Sequence, residues 1–161
     1  MDDAWSRFVV ACQYALGELA GGRPEPFKTL WPHADDVVIM GASGGYERGW
    51  DRVSARLGWA ATGIASADRS VENVVTVVGD APACTVDLEH MTRHVGDRPQ
   101  RRTLRCTQAY RREEGQWKVV LRMQMSLRAQ TSSNGGPSAR TVLPGRGRPC
   151  WARPRRPVVT V

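Results

Sequence analysis

Several common signatures are missing from this sequence. Its 161 residues include only three histidines and four cysteines, and none of Cys12, Cys84, Cys106 and Cys150 stands in a CxxC pair. No apolar run approaches the roughly 20 residues of a spanning helix. No basic segment followed by an apolar one opens the chain, which begins Met-Asp-Asp. Cys84 and Cys106 lie in strand-like runs, where a free cysteine acts as a small apolar side chain. The expectation is a reduced, cytoplasmic protein without membrane contact. Gly41-Ala42-Ser43-Gly44-Gly45 follows an apolar strand and precedes a helix, as phosphate loops do. It lacks the Gly-Lys-Ser/Thr ending, does not match G-x-G-x-x-G, and has no βαβ pattern around it. His90 and His94 are four residues apart on a strand, a separation of about 13 Å. With no third ligand in view, neither a metal ion nor a cofactor is expected.

Acidic residues are also missing from one region. Residues 128–161 hold seven arginines and no acid, whereas residues 1–127 hold 16 basic and 16 acidic residues. The net charge of +7 therefore belongs to the tail. That tail is rich in Pro, Gly, Ser and Arg, without helical or strand periodicity, and is expected to be disordered. Its arginines are scattered and Trp151 is its only aromatic, so a nucleic-acid arm is the weakest functional reading. Two segments are expected: a folded domain over 1–127 and the basic tail over 128–161.

Within 1–127 the sequence has ample apolar content, and it is patterned. Trp5, Phe8, Val9, Cys12, Leu16 and Leu19 recur at helical spacing over 4–20, with Asp2 and Asp3 placed to cap, and Gly21-Gly22 and Pro24 to stop the helix. Glu25 to Trp31 suits a short second helix. Val37 to Met40 reads as a strand, Gly41 to Gly45 as a turn, and 49–63 as a helix with Trp50, Val53, Leu57 and Ala60/Ala61 on one stripe. Strand-like runs follow at 71–78, 83–95, 101–112 and 116–127. Helices first and strands afterwards indicate an α+β fold.

Glu114-Gly115 suits a two-residue hairpin turn, pairing Tyr110 with Val119, Gln108 with Leu121 and Cys106 with Met123. A turn centred on Asp97 pairs Glu89 with Arg105 and Leu88 with Cys106. Strand alternation then assigns Cys84, Val86, Leu88, His90, Leu104, Cys106, Gln108, Tyr110, Trp117, Val119, Leu121 and Met123 to the face that receives the helices. Thr85, Asp87, Glu89, Arg105, Thr107 and Arg122 fall on the other face. That face suits solvent or a dimer contact, with Glu89–Arg105 as a cross-strand ion pair.

Three segments carry a resemblance. They are Trp31-x-His33-x-Asp35-Asp36-Val37, the turn Gly44-Gly45-Tyr46-Glu47-Arg48-Gly49-Trp50, and Tyr110-Arg111-Arg112-Glu113-Glu114-Gly115-x-Trp117-Lys118-Val119-Val120. In type, order and spacing they resemble the SnoaL-like branch of the nuclear transport factor 2-like (ketosteroid isomerase-like) superfamily, over about residues 5 to 127. The resemblance implies a cone: a curved antiparallel sheet wrapped around N-terminal helices, with a pocket open at one end. It also implies a homodimer formed through the sheet. Relatives include cyclases, isomerases, dehydratases and hydrolases, and also binding or association domains without chemistry, so the fold does not decide function. Two departures stand out. Relatives often read Val-His-Arg-His in the final strand, where this chain has Leu121, Arg122 and Met123. Isomerase members carry an Asp at the end of the first strand, where this chain reads Met40-Gly41.

The expected function is that of a cavity protein binding an apolar or aromatic small molecule, with cofactor-independent acid–base chemistry as an isomerase, cyclase or hydrolase in view. Whether it is an enzyme at all is left open. His33 or Asp36 is the candidate base, and Tyr46 or His90 the candidate proton donor or oxyanion partner. Tyr14, Trp50, Trp59, Gln108, Leu121 and Met123 are the candidate pocket residues. The alternative is a non-catalytic ligand-carrying or dimerisation module of the same fold. The two histidines missing from the last strand favour it.

Overall fold

The computed structural model describes residues 3–64, 68–95 and 98–127. The expected boundary at 127/128 and the basic tail lie outside the described residues. Three helices precede most of the sheet: α1 (Asp3–Ala20), α2 (Glu25–Lys28) and α3 (Trp50–Ile64). Two short strands, β1 (Val38–Met40) and β2 (Tyr46–Arg48), separate α2 from α3. Four long strands follow: β3 (Asp68–Val78), β4 (Pro82–Val95), β5 (Arg98–Glu113) and β6 (Gln116–Leu127). They form one sheet in the order β2-β1-β6-β5-β4-β3. The α+β expectation holds. The sheet is mixed, because β1 runs parallel to β6 while every other pair is antiparallel. Among the described residues no helix is long and apolar enough to cross a membrane.

Local chemistry accounts for the joints. Glu114 (φ 48°) and Gly115 (φ 79°) both adopt left-handed backbone, as a tight two-residue hairpin with the twist of its strands requires. Gly49 (φ 86°) starts α3, and its N–H donates to the Val37 carbonyl at 2.9 Å, tying the helix to the entry of β1. The Val119 N–H donates to the Leu30 carbonyl at 2.9 Å, which fixes β6 against the segment after α2. Trp5, Leu16, Phe27, Trp31, Val37, Val53, Leu57 and Val119 are fully buried between helices and sheet. Trp5 packs edge-on against Tyr110 and Trp117, with ring centroids 5.2 and 5.1 Å apart.

Two register details overturn the expected faces. The β4–β5 ladder closes with Val95 opposite Arg98, half a residue earlier than a turn centred on Asp97. Glu89 therefore stands opposite Leu104, and Arg105 opposite Leu88. With a period of two, that slip exchanges the faces of β4: Thr85, Asp87 and Glu89 are buried inward, while Cys84, Val86, Leu88 and His90 point outward. On β6, Tyr110 pairs with Val119 as expected, but Ala109 then pairs with Leu121, leaving Val120 as a bulge residue. Beyond the bulge the alternation changes phase. Arg122 turns inward, Leu121 and Met123 outward, and the expected Gln108–Leu121 and Cys106–Met123 pairs become Gln108–Arg122 and Cys106–Gln124.

Candidate functional site

A cavity of about 640 Å³ opens between the helices and the inward face of the sheet. Leu16, Leu19 and Ala20 of α1, Leu57 and Ala60 of α3, and Ile39 and Leu104 of the sheet supply apolar wall. Trp59, Arg56 and the segment Gly41-Ala42-Ser43 supply the helix-and-loop side. The Arg56 guanidinium lies 4.5 Å from the Trp59 ring centroid and donates to the Gly44 carbonyl at 3.3 Å. A Cβ on Gly41 would stand 2.4 Å from Arg56 Nη2, so the glycine leaves the room that Arg56 occupies.

The sheet side is charged. Arg122 and Glu89, each with a side chain 3% exposed, meet through Arg122 Nη2, which donates to Glu89 Oε1 at 2.9 Å and to Oε2 at 2.7 Å. Arg69 Nη2 donates to Glu89 Oε1 at 2.8 Å and to Gln13 Oε1 at 3.0 Å. Burial by itself would raise the Glu89 carboxyl, but the two guanidinium groups outweigh it and hold it at about 2. Burial acts against the Arg122 charge too, and Glu89 more than compensates, so the guanidinium stays protonated. Arg122 Nη1 is buried without a hydrogen-bond partner among the described residues. The two nearby cysteines are no counter-charge, because burial pushes the Cys12 and Cys106 thiols up to about 12.

Beside the triad a second polar chain runs from exposed Asn73 into the core. Asn73 donates to Asp87 at 2.7 Å, Thr85 donates to Asp87 at 3.0 Å, and the Thr85 and Tyr110 hydroxyls are 2.9 Å apart. Gln108 Nε2 donates to the Tyr110 hydroxyl at 2.8 Å, and burial raises that phenol well above its ordinary value. This chain underlies the core and does not line the cavity.

The structure does not assemble the four candidate catalytic residues. His33 is exposed and stacks on Trp50, centroids 4.4 Å apart, in a shallow cleft with Asp35, Arg48 and Asp51. Asp36 is an exposed partner of Arg111, whose Nη1 donates to it at 2.6 Å and lowers its carboxyl. Tyr46 is 69% exposed on edge strand β2. His90 lies on the outward side of β4, with Nδ1 3.0 Å from the Thr103 hydroxyl. Of the six candidate pocket residues, Trp59 alone lines the cavity. Tyr14 projects from α1 at 68% exposure, Trp50 belongs to the His33 cleft, and Gln108 is sealed in the core. Leu121 and Met123 face outward because of the Val120 bulge. The residues that the sequence reading left out of the site are Arg69, Glu89 and Arg122. One signal for Arg122 was present: the adjacent apolar pair Val119-Val120 interrupts strict alternation just before it.

The fold matches solved structures whose names assign different roles. A ketosteroid isomerase-like protein from Erwinia carotovora atroseptica shares 13% identity over 80% of this chain and 99% of its own, with TM-score 0.64. The fold is nuclear transport factor 2-like. A candidate dehydratase of the NTF2-like family from Streptomyces avermitilis superposes with TM-score 0.67 at 14% identity, covering 78% of this chain and 97% of its own. A candidate calcium/calmodulin-dependent protein kinase type II association domain from Thiobacillus denitrificans gives 0.63 at 20%, covering 74% and 92%. No protein-family model matches the sequence, and no curated protein does. An NTF2-like fold is thus compatible with isomerase-like, dehydratase and association roles alike, and the site has to discriminate between them.

Proposed function

We propose that this chain is a small-molecule-binding protein of the NTF2-like fold, whose cavity binds its ligand without acid–base chemistry. One observation carries this reading. Glu89, the cavity's one carboxylate among the described residues, is clamped between Arg69 and Arg122 and kept ionised. A general base works best with a pKa near the working pH, and a carboxylate at about 2 is a poor proton acceptor. The remaining lining offers apolar walls and fixed cations, which suit recognition. Titration with the neutral fluorophore N-phenyl-1-naphthylamine tests this. Saturable binding is expected, lost in Ala60→Trp, which fills the cavity beside Trp59, and retained in Asp36→Asn and Tyr46→Phe. Binding that survives Ala60→Trp unchanged would refute it.

A second feature supports self-association through the outward face of the sheet. Two rows of paired residues cross that face: Val75, Val86, Thr107, Met123, Met40 and Tyr46, and beside them Val77, Cys84, Ala109, Leu121 and Val38. Val75, Val77, Met40 and Met123 are exposed large apolar side chains, as is Met125. A contiguous apolar surface of this kind marks an interaction site, and a homodimer is the partner we propose for it. A cytoplasmic setting fits the free thiols of Cys12, Cys84 and Cys106.

A further inference from the structure

The charges lining the cavity are lopsided. Arg56, Arg69, Arg101, Arg102 and Arg122 line it, against Glu89 alone. Glu89 is already shared by Arg69 and Arg122, so that buried triad carries a net positive charge. Asp87, the next inward residue of β4, is engaged by Asn73 and Thr85 and stands outside the lining. Arg56 and Arg102 have only neutral partners among the described residues: Gly44 and the Trp59 ring for Arg56, and the Ser126 hydroxyl, 3.0 Å from Nε, for Arg102. Arg102 is exposed and Arg56 half-buried, so both guanidinium groups are reachable from solvent. Arg102 stands opposite Met91 across the β4–β5 ladder, which puts it on the inward side. Two uncommitted cations beside the apolar surface of Leu16, Leu57 and Leu104 leave the cavity amphipathic.

We propose that the ligand is an amphipathic organic anion. Its apolar or aromatic body lies against the leucine wall, and its oxyanion head is met by Arg56 and Arg102. This deepens the binding reading and rests on it. Guanidinium groups are the usual partners of such heads because their planar forks present paired N–H donors. The fixed positive field of the triad favours any anion that enters.

Calorimetry with the full chain and three probes of one body tests the inference: 4-phenylbutan-1-ol, 4-phenylbutyrate and 4-phenylbutyl phosphate. At least one anion is expected to bind about tenfold or more tightly than the alcohol. The tighter of the two identifies the head as carboxylate or phosphate. The preference is expected to shrink as salt rises and to vanish in Arg56→Gln/Arg102→Gln. Neither arginine has an ion-pair partner among the described residues, so the variant is expected to fold, and a circular dichroism melt verifies this. Equal binding of alcohol and anions, or a preference unaltered in the variant, overturns the anion inference and leaves the cavity reading standing. No binding of any of the three removes both.

Discussion

Along β4 the inward side chains Thr85, Asp87 and Glu89 are buried, while the outward Cys84, Val86 and Leu88 keep partial exposure. Elsewhere on the sheet the inward side is mixed: Arg69, Arg122 and the Thr85–Tyr110–Gln108 chain stand beside buried Ile39, Leu104, Trp117 and Val119, while the outward side carries exposed valines and methionines. Along this stretch of β4 the usual rule that apolar side chains go inside is reversed. Burying a charge costs several kcal/mol unless geometry and hydrogen bonds compensate. Here Glu89 offsets part of the buried positive charge by accepting from both Arg69 and Arg122, and the helices share the apolar core with Ile39, Leu104, Trp117 and Val119 of the sheet. Among the described residues nothing covers the outward valines and methionines, which is why we assign that face to a partner.

The contrast can be broken from the inside first. Arg122→Met leaves Glu89 with only Arg69 as a charged partner, and a loss of about 3–5 kcal/mol is expected in urea unfolding. Adding Glu89→Leu is expected to restore much of that stability, since an apolar replacement of both partners removes the uncompensated charge. A single variant no less stable than the wild type would show that the pair does not hold the floor of the cavity.

Acid is the next lever. The Glu89 carboxyl is held at about 2 against an unfolded value of 4.5. Because its folded value is lowered, its contribution is complete above about 4.5 and disappears as pH falls toward about 2. Thermal melts across that window should show a steep loss of stability in the wild type. A shallower loss is expected in Glu89→Gln, which removes that carboxyl. Parallel profiles would show that Glu89 is not held as described.

The outside is tested by charge. Val77→Glu/Met123→Glu puts two carboxylates on adjacent apolar rows. Self-association measured by sedimentation is expected to weaken about tenfold or more, with monomer stability within about 0.5 kcal/mol of the wild type. An unchanged association constant would remove the outward face as the interface. The smallest effect is expected at Asp36→Asn, which breaks an exposed pair with Arg111. The melting midpoint should barely move, and cavity binding should not move at all. A large loss of binding there would return Asp36 to the site.

Much of the fold was legible. Helical spacing from Trp5 to Leu19 marked α1, the glycines around residues 41–45 marked a turn, and Glu114-Gly115 marked the hairpin that the structure contains. These signals are local: a few residues set backbone preference and apolar period. Strand β2 gave little signal, because Tyr46–Arg48 is three residues long and mostly exposed. The site was far less legible. Trp59 stands on α3 just outside its apolar stripe, and its helix neighbours Arg56, Leu57 and Ala60 line the cavity with it. Gln108 faces inward as expected, yet it is fully buried in the core and does not line the cavity. Leu121, Met123 and His90 took their faces from a register that nothing local fixes.

The sequence by itself therefore determined where the helices and every strand but β2 begin, to within about three residues, that helices precede the long strands, and how β5 turns into β6. Those outcomes follow from side-chain spacing and from residues that accept left-handed backbone. Only the tertiary structure decided which side of β4 and of the far half of β6 faces the cavity. Alternation transmits a one-residue offset along a whole strand, and the two offsets here arise from the closure of the 95–98 ladder and from the bulge at Val120. With both in place, Arg69, Glu89 and Arg122 meet inside, each stabilised by partners far away in sequence.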